Sequence, residues 1–168
     1  MIDIRESLNS KNSRLDTALL IVIALCSVGL MGIGVLANLG RLRIILSQNW
    51  AITFIGMLFS VSGMMGMFYC RHHLGAFWTA EINLSKGHRI IDTGPYRFVR
   101  HPIYTFAILM YIGLGLAFLS LWNMILAGII VVAYILKTKD EDNYLEKNLS
   151  GYREYKLRVR YLLAPGLW

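Results

Sequence analysis

Apolar and polar positions along the chain separate into long blocks, with no period-2 alternation of the kind that marks half-buried strands. Residues 15–39 form a nearly unbroken apolar run and 50–70 form a second. Two more, 102–120 and 121–137, follow with almost nothing between them. About 20 apolar residues cross a bilayer as a helix, so four transmembrane helices are expected. The last two blocks would each measure about 25 Å at ~1.5 Å per residue, enough for a slightly thinned bilayer. Joined end to end they would overshoot any bilayer. The junction Leu119-Ser120-Leu121-Trp122-Asn123 is therefore expected to reverse tightly, making a helical hairpin.

Within the blocks, Gly29, Gly32 and Gly34, and then Gly56, Ser60, Gly63 and Gly66, read as seams where helices approach closely. Trp50 and Tyr69 stand where interfacial anchors would. Residues 1–14 read as a short polar arm and 138–168 as a polar tail. In the tail, Ser150-Gly151 marks a break. Tyr152, Tyr155, Val159 and Leu163 then share one face of an amphipathic helix, offered to the membrane or to the other helices and ended by Pro165-Gly166. The expected fold class is an all-α integral membrane protein, one domain over 1–168, with about four transmembrane helices and C-terminal amphipathic helices in the cytoplasm.

Composition agrees with this class. The chain is 56% hydrophobic with a mean hydropathy of +0.52, above the 45–50% apolar usage typical of soluble domains. The net charge of +7 changes the picture only through its placement. The basic residues flank the apolar blocks, where they meet anionic lipid, which argues against a nucleic-acid partner. With four spans, the arm, the 71–102 loop and the tail share one side, and fifteen of the seventeen Lys and Arg fall there, leaving Arg41 and Arg43 opposite. The positive-inside rule puts that side in the cytoplasm. Cys26 and Cys70 give neither a disulfide framework nor a metal signature and read as packing residues. The first apolar run is too long for a signal-peptide core, so no cleavable signal is expected.

Candidate chemistry concentrates in Gly87-His88-Arg89-Ile90-Ile91-Asp92-Thr93-Gly94-Pro95-Tyr96-Arg97-Phe98-Val99-Arg100-His101-Pro102-Ile103-Tyr104. Gly94-Pro95 signals a turn, and Pro102 has the place of a helix-starting proline. A hairpin brings Arg100-His101 and the stretch from Lys137 to Glu141 to one membrane mouth. Such a convergence suits a polar cofactor and a lipid-like substrate; snorkelling ionisable groups are the plainer alternative. Arg71-His72-His73 is not read as a metal site, because adjacent histidines do not share a helix face.

Three groups of residues carry a resemblance. Leu74-Gly75-Ala76-Phe77-Trp78-Thr79, Gly87 through Tyr96, and Arg100-His101-Pro102-Ile103-Tyr104 together resemble the isoprenylcysteine carboxyl methyltransferase family. Glu141-Asp142-Asn143-Tyr144-Leu145 is similar to its Glu-Glu-x-x-Leu, and Tyr152 through Val159 to its Tyr-x-x-Tyr-x-x-x-Val ending. The likeness covers roughly residues 50–165. It implies an integral membrane enzyme that takes a methyl group from S-adenosylmethionine on the cytoplasmic side and gives it to a lipophilic acceptor, an isoprenylcysteine carboxylate or another lipid-like molecule. Residues implied in cofactor binding are Glu81, His88, Arg89, Ile90, Ile91, Tyr96, His101, Pro102, Ile103, Tyr104 and Glu141. Lys137 takes the place of an acceptor-binding Arg, keeping the charge and losing the bidentate fork. Glu81 stands where the family has Gln, and Phe106 replaces a small residue of the pocket wall.

No residue is assigned as an acid or base, since a carboxylate acceptor needs none. No metal is expected, and the expected partners are a lipophilic or lipidated substrate and membrane lipids. Two alternatives remain open. The ending 158–168 is also somewhat similar to that of NADPH-dependent membrane sterol reductases, and a non-catalytic four-span scaffold needs no cofactor at all.

Overall fold

Residues 4–39, 49–75 and 90–166 are described by a computed structural model, residues 4–13 and 38 by backbone alone. Among the described residues five α-helices follow in order: α1 (Ile4–Asn38), α2 (Trp50–Leu74), α3 (Pro102–Phe118), α4 (Leu121–Asn148) and α5 (Tyr152–Arg158). A 3-10 turn over Gly94–Arg97 precedes α3. No strand occurs among the described residues. Three of the helices hold stretches long and apolar enough to cross a membrane, in Arg14–Ala37, Trp50–Leu74 and Leu121–Asn148, while α3 has 17 residues. Large apolar side chains such as Leu25, Val28, Phe54, Met65 and Val132 lie exposed on these helices, as a bilayer would require.

The start of α2 and both ends of α3 have local causes. Asn49 caps α2, its side-chain oxygen accepting from the backbone N–H of Ala51 and Ile52. Pro102 opens α3, where its missing N–H costs nothing. Leu119 ends α3 in the left-handed conformation, φ 47° and ψ 32°, and α4 begins two residues later. The expected hairpin is present and turns on two residues. Two boundaries differ from the reading of the sequence. Helical backbone begins at Ile4, within the stretch read as a polar arm. The fourth helix does not stop near residue 137 but carries the polar residues on to Asn148, for 28 residues in all.

Interhelical contacts fix the directions. Gly56 lies against Gly113 and Ala117, and Gly63 against Phe106 and Met110, so α2 and α3 run antiparallel with backbones touching. On α1, Gly29 lies beside Leu126 of α4, and the Asn123 side-chain amide donates to the Leu30 carbonyl at 3.2 Å. Successive helices therefore alternate in direction. The start of α1, the end of α2, the start of α3 and the later half of α4 gather at one end of the bundle. That end carries the site.

Candidate active site

The site is built from the turn before α3 upward. Gly94 adopts φ 57°, and an added Cβ would come within 2.8 Å of the His73 ring, so glycine is required here on both counts. Pro95 then sets the 3-10 turn that buries Tyr96. The His73 ring stacks on Tyr96 at 6.3 Å, and its Nε2 lies 2.9 Å from the Thr93 hydroxyl. The Tyr155 hydroxyl donates to the Tyr96 carbonyl at 2.7 Å. Among the described residues the buried Tyr96 hydroxyl has no hydrogen-bond partner. Burial first, and then neighbouring acidic groups including Glu141, push its pKa well up, so it stands as a protonated donor.

Arg100 and His101 follow, held by the tail. The Arg100 N–H donates to the Tyr161 carbonyl and the His101 N–H to that of Leu162, each at 3.0 Å. The Arg100 guanidinium donates through Nε to Asp142 at 2.8 Å and through Nη1 to the Val159 and Arg160 carbonyls at 2.8 and 2.7 Å. Asp142 is the hub of this corner. It also accepts from the Tyr152 hydroxyl at 2.8 Å and from Lys156 at 2.9 Å, with His101 Nε2 at 3.4 Å. Burial and the Asp142 charge hold the Tyr152 phenol pKa far above its ordinary value, which keeps it a donor. A carboxylate buried this deeply is tolerable only because so many donors meet it.

Here the tail departs from expectation. Its helix ends at Arg158 instead of running toward Pro165, because residues 159–163 turn their carbonyls to Arg100, His101 and Thr105. Tyr152, Tyr155, Val159 and Leu163 are all buried, although only the first two lie on the helix. The first three form a small core with Ile90, Leu145 and Leu149.

Further along α3, the Tyr104 ring lies nearly parallel to His101, 5.9 Å away, and its hydroxyl donates to Glu141 at 2.6 Å across 37 residues of sequence. One helical turn before Glu141, the Lys137 ammonium is buried in an ion pair with Asp16 of α1. The structure thus brings Tyr96, His101, Pro102, Ile103, Tyr104, Lys137 and Glu141 to one end of the bundle. Ile90 packs on the α5 core, and Ile91 is half-buried. Glu81, His88 and Arg89 lie outside the described residues. Phe106 lies against Gly66 in the α2–α3 seam.

Sequence reasoning assigned no role to Asp16, and Asp142 entered only as the second acid of the Glu-Glu-x-x-Leu-like motif. For Asp16 a signal existed. It is the only charged residue in the 15–39 block, and an ionisable group inside a span implies a partner.

Alternating apolar helices with a polar, tyrosine-rich corner at one end define a multi-pass helical membrane protein with a candidate cofactor site. Residues 54–147, more than half of the chain, match the isoprenylcysteine carboxyl methyltransferase family, and the chain belongs to that family. The matched region takes in nearly all of α2, then α3 and α4, and leaves α1 and α5 outside. Two curated relatives are the nickel-cobalt-cadmium resistance protein NccN of Alcaligenes xylosoxydans xylosoxydans and the cobalt-zinc-cadmium resistance protein CzcN of Cupriavidus metallidurans. They are 30% identical over 117 and 114 residues, each covering 67% of this chain. The matches take up 53% and 52% of the relatives, so the chain spans about half the length of the curated relatives it matches.

Proposed function

We propose that this protein is a four-span membrane methyltransferase that moves a methyl group from S-adenosylmethionine to a lipophilic acceptor, a carboxylate of isoprenylcysteine-like or other lipid-like character. The observation that carries the reading is the Tyr104–Glu141 hydrogen bond. It joins the two segments that hold the family's motifs, inside the region that matches the family. The residues present suit the cofactor: Glu141 offers a carboxylate to its hydroxyl or amine groups, and Tyr96 offers a buried phenol with no hydrogen-bond partner among the described residues. Bound S-adenosylmethionine would supply an electrophilic methyl on a sulfonium, so that a C–O bond forms as the C–S bond breaks and no proton moves.

The protein's own work is then positioning and exclusion of water. Tyr104 fixes the Glu141 carboxylate, His101 backs the Tyr104 ring, and the tail fixes His101 through its backbone. Lys137 is the group assigned to the acceptor's anion.

Equilibrium binding of S-adenosylhomocysteine and of NADPH to the detergent-purified chain tests the assignment, with Glu141→Ala and Tyr104→Phe beside the parent. S-adenosylhomocysteine is expected to bind, about tenfold or more weaker in Glu141→Ala and less weakened in Tyr104→Phe. NADPH binding alone would point to the reductase. Binding of neither by folded protein would leave the scaffold.

A further inference from the structure

The Lys137 ammonium, 2% exposed, does not wait open for a ligand: it is already paired with Asp16, 3% exposed and 121 residues away in sequence. We propose that Asp16 holds the place of the acceptor's carboxylate, and that an anionic lipid acceptor reaches Lys137 by exchanging with it. The proposal rests on the methyltransferase reading for its assignment of Lys137 to the acceptor.

Three observations lead to it. A buried ammonium cannot be kept without a counter-charge, because desolvation outweighs whatever a later ligand would return. The site therefore needs a carboxylate at Lys137 whether or not an acceptor is bound. The nearby guanidinium of Arg100 offers no alternative docking point, since Asp142 and two backbone carbonyls already take its donors. Finally, Lys137 lies one helical turn from Glu141 on the same face of α4, so an anion held there sits beside the candidate cofactor groups. Asp16 comes from α1, which lies outside the matched family region. A lysine suits the exchange, because its point charge accepts one carboxylate oxygen after another without the paired geometry that an arginine imposes.

The consequence is specificity. Acids must compete with the internal carboxylate, whereas esters neither compete nor gain. The test uses the full chain in detergent and compares binding of N-acetyl-S-farnesylcysteine with that of its methyl ester. Asp16→Asn is expected to shift the preference toward the acid by about tenfold or more, and adding Lys137→Met is expected to abolish that gain. An acid-to-ester ratio unmoved by Asp16→Asn would overturn the exchange. Should Asp16→Asn fail to fold, the parent protein decides through carbodiimide labelling of Asp16 read by mass spectrometry. Labelling is expected to rise with the acid bound and not with the ester, and equal labelling would overturn the proposal. S-adenosylhomocysteine binding is measured alongside. Its failure counts against the methyltransferase reading, while the acid-to-ester comparison judges the exchange in either case.

Discussion

At the scale of single residues, the corner around Asp142 shows how burial sets the worth of a charge. Asp142 and Arg100 are both buried, and neither has water to fall back on. Removing one partner of such a pair typically costs about 3–5 kcal/mol, much of it the desolvation of the charge left behind. Asp142→Asn is therefore expected to destabilise the protein by about that amount in denaturant unfolding followed in detergent. Lys156 touches the same carboxylate and Glu146, yet its side chain is 30% exposed. Solvent screens it, so Lys156→Met is expected to cost no more than about 1 kcal/mol in the same measurement. Equal losses in the two variants would contradict this ordering. This hub was only partly legible in the sequence. The hairpin alone brought the start of α3 and the stretch from Lys137 to Glu141 to one mouth, but not the Tyr104–Glu141 pair, since the turn at 119–120 sets the Tyr104 ring against Tyr134. Asp142 stood in the Glu-Glu-x-x-Leu-like motif but was given no role of its own. Its partners are Tyr152 and Lys156 from α5 and Arg100 and His101 from just before α3, and no short-range period links them.

At the scale of elements, the α2–α3 seam and the hairpin turn each carry a prediction. A Cβ on Gly63 would meet the Met110 nitrogen and the Phe106 carbonyl oxygen, both at 2.6 Å. These are backbone atoms, so relief requires the helices to part. Gly63→Ala is expected to destabilise by about 1–3 kcal/mol through overpacking. Gly32 has nothing within 4 Å, and there alanine's better helix propensity is the only effect left. Gly32→Ala is expected to be neutral or stabilising by up to about 1 kcal/mol. Thermal unfolding of the two variants side by side checks the contrast. The sequence marked both glycines alike as seam residues, since composition does not show which face a neighbour covers. Leu119 presents a contest of another kind. Its left-handed backbone costs about 1–2 kcal/mol, but its side chain is buried at 6% exposure. Losing a buried leucine typically costs about 2–5 kcal/mol. Leu119→Gly is therefore expected to lower stability despite relieving the turn, and a gain would show that strain dominates. The reversal was legible because two apolar blocks abutted at a Ser and an Asn. The length of α4 was not, because polarity beyond residue 137 marks where a helix leaves lipid and not where it ends.

At the scale of the whole molecule, the alternation of helix directions bears on sidedness. The contacts put the start of α1, the end of α2, the start of α3 and the later half of α4 at one end. This is the arrangement from which charge predicts orientation, with fifteen of the seventeen Lys and Arg outside the 40–48 stretch in sequence. Lys137 is neutralised within the fold by Asp16 and contributes little to that field. The asymmetry survives its removal, because Arg97, Arg153, Arg158 and Arg160 are exposed on the same side. Basic residues are held back on the cytoplasmic face during insertion. A fluorescent-protein fusion at the C-terminus is accordingly expected to be bright, and an alkaline-phosphatase fusion placed after Arg43 to be active outside the cytoplasm. The reverse pattern would put the Tyr104–Glu141 corner on the face away from cytoplasmic S-adenosylmethionine. The cofactor assignment would then fail on access alone, whatever the geometry of the site. Orientation is thus a condition on the chemistry, and α3 has to span for it to hold. At 17 residues that helix reaches about 25 Å, short of a ~30 Å hydrocarbon core. The close seam with the longer α2 and the shared turn with α4 are what would hold it across a locally thinned bilayer. Gly63→Ala, by forcing that seam apart, is therefore expected to dim the C-terminal fluorescent-protein fusion, as well as to lower stability.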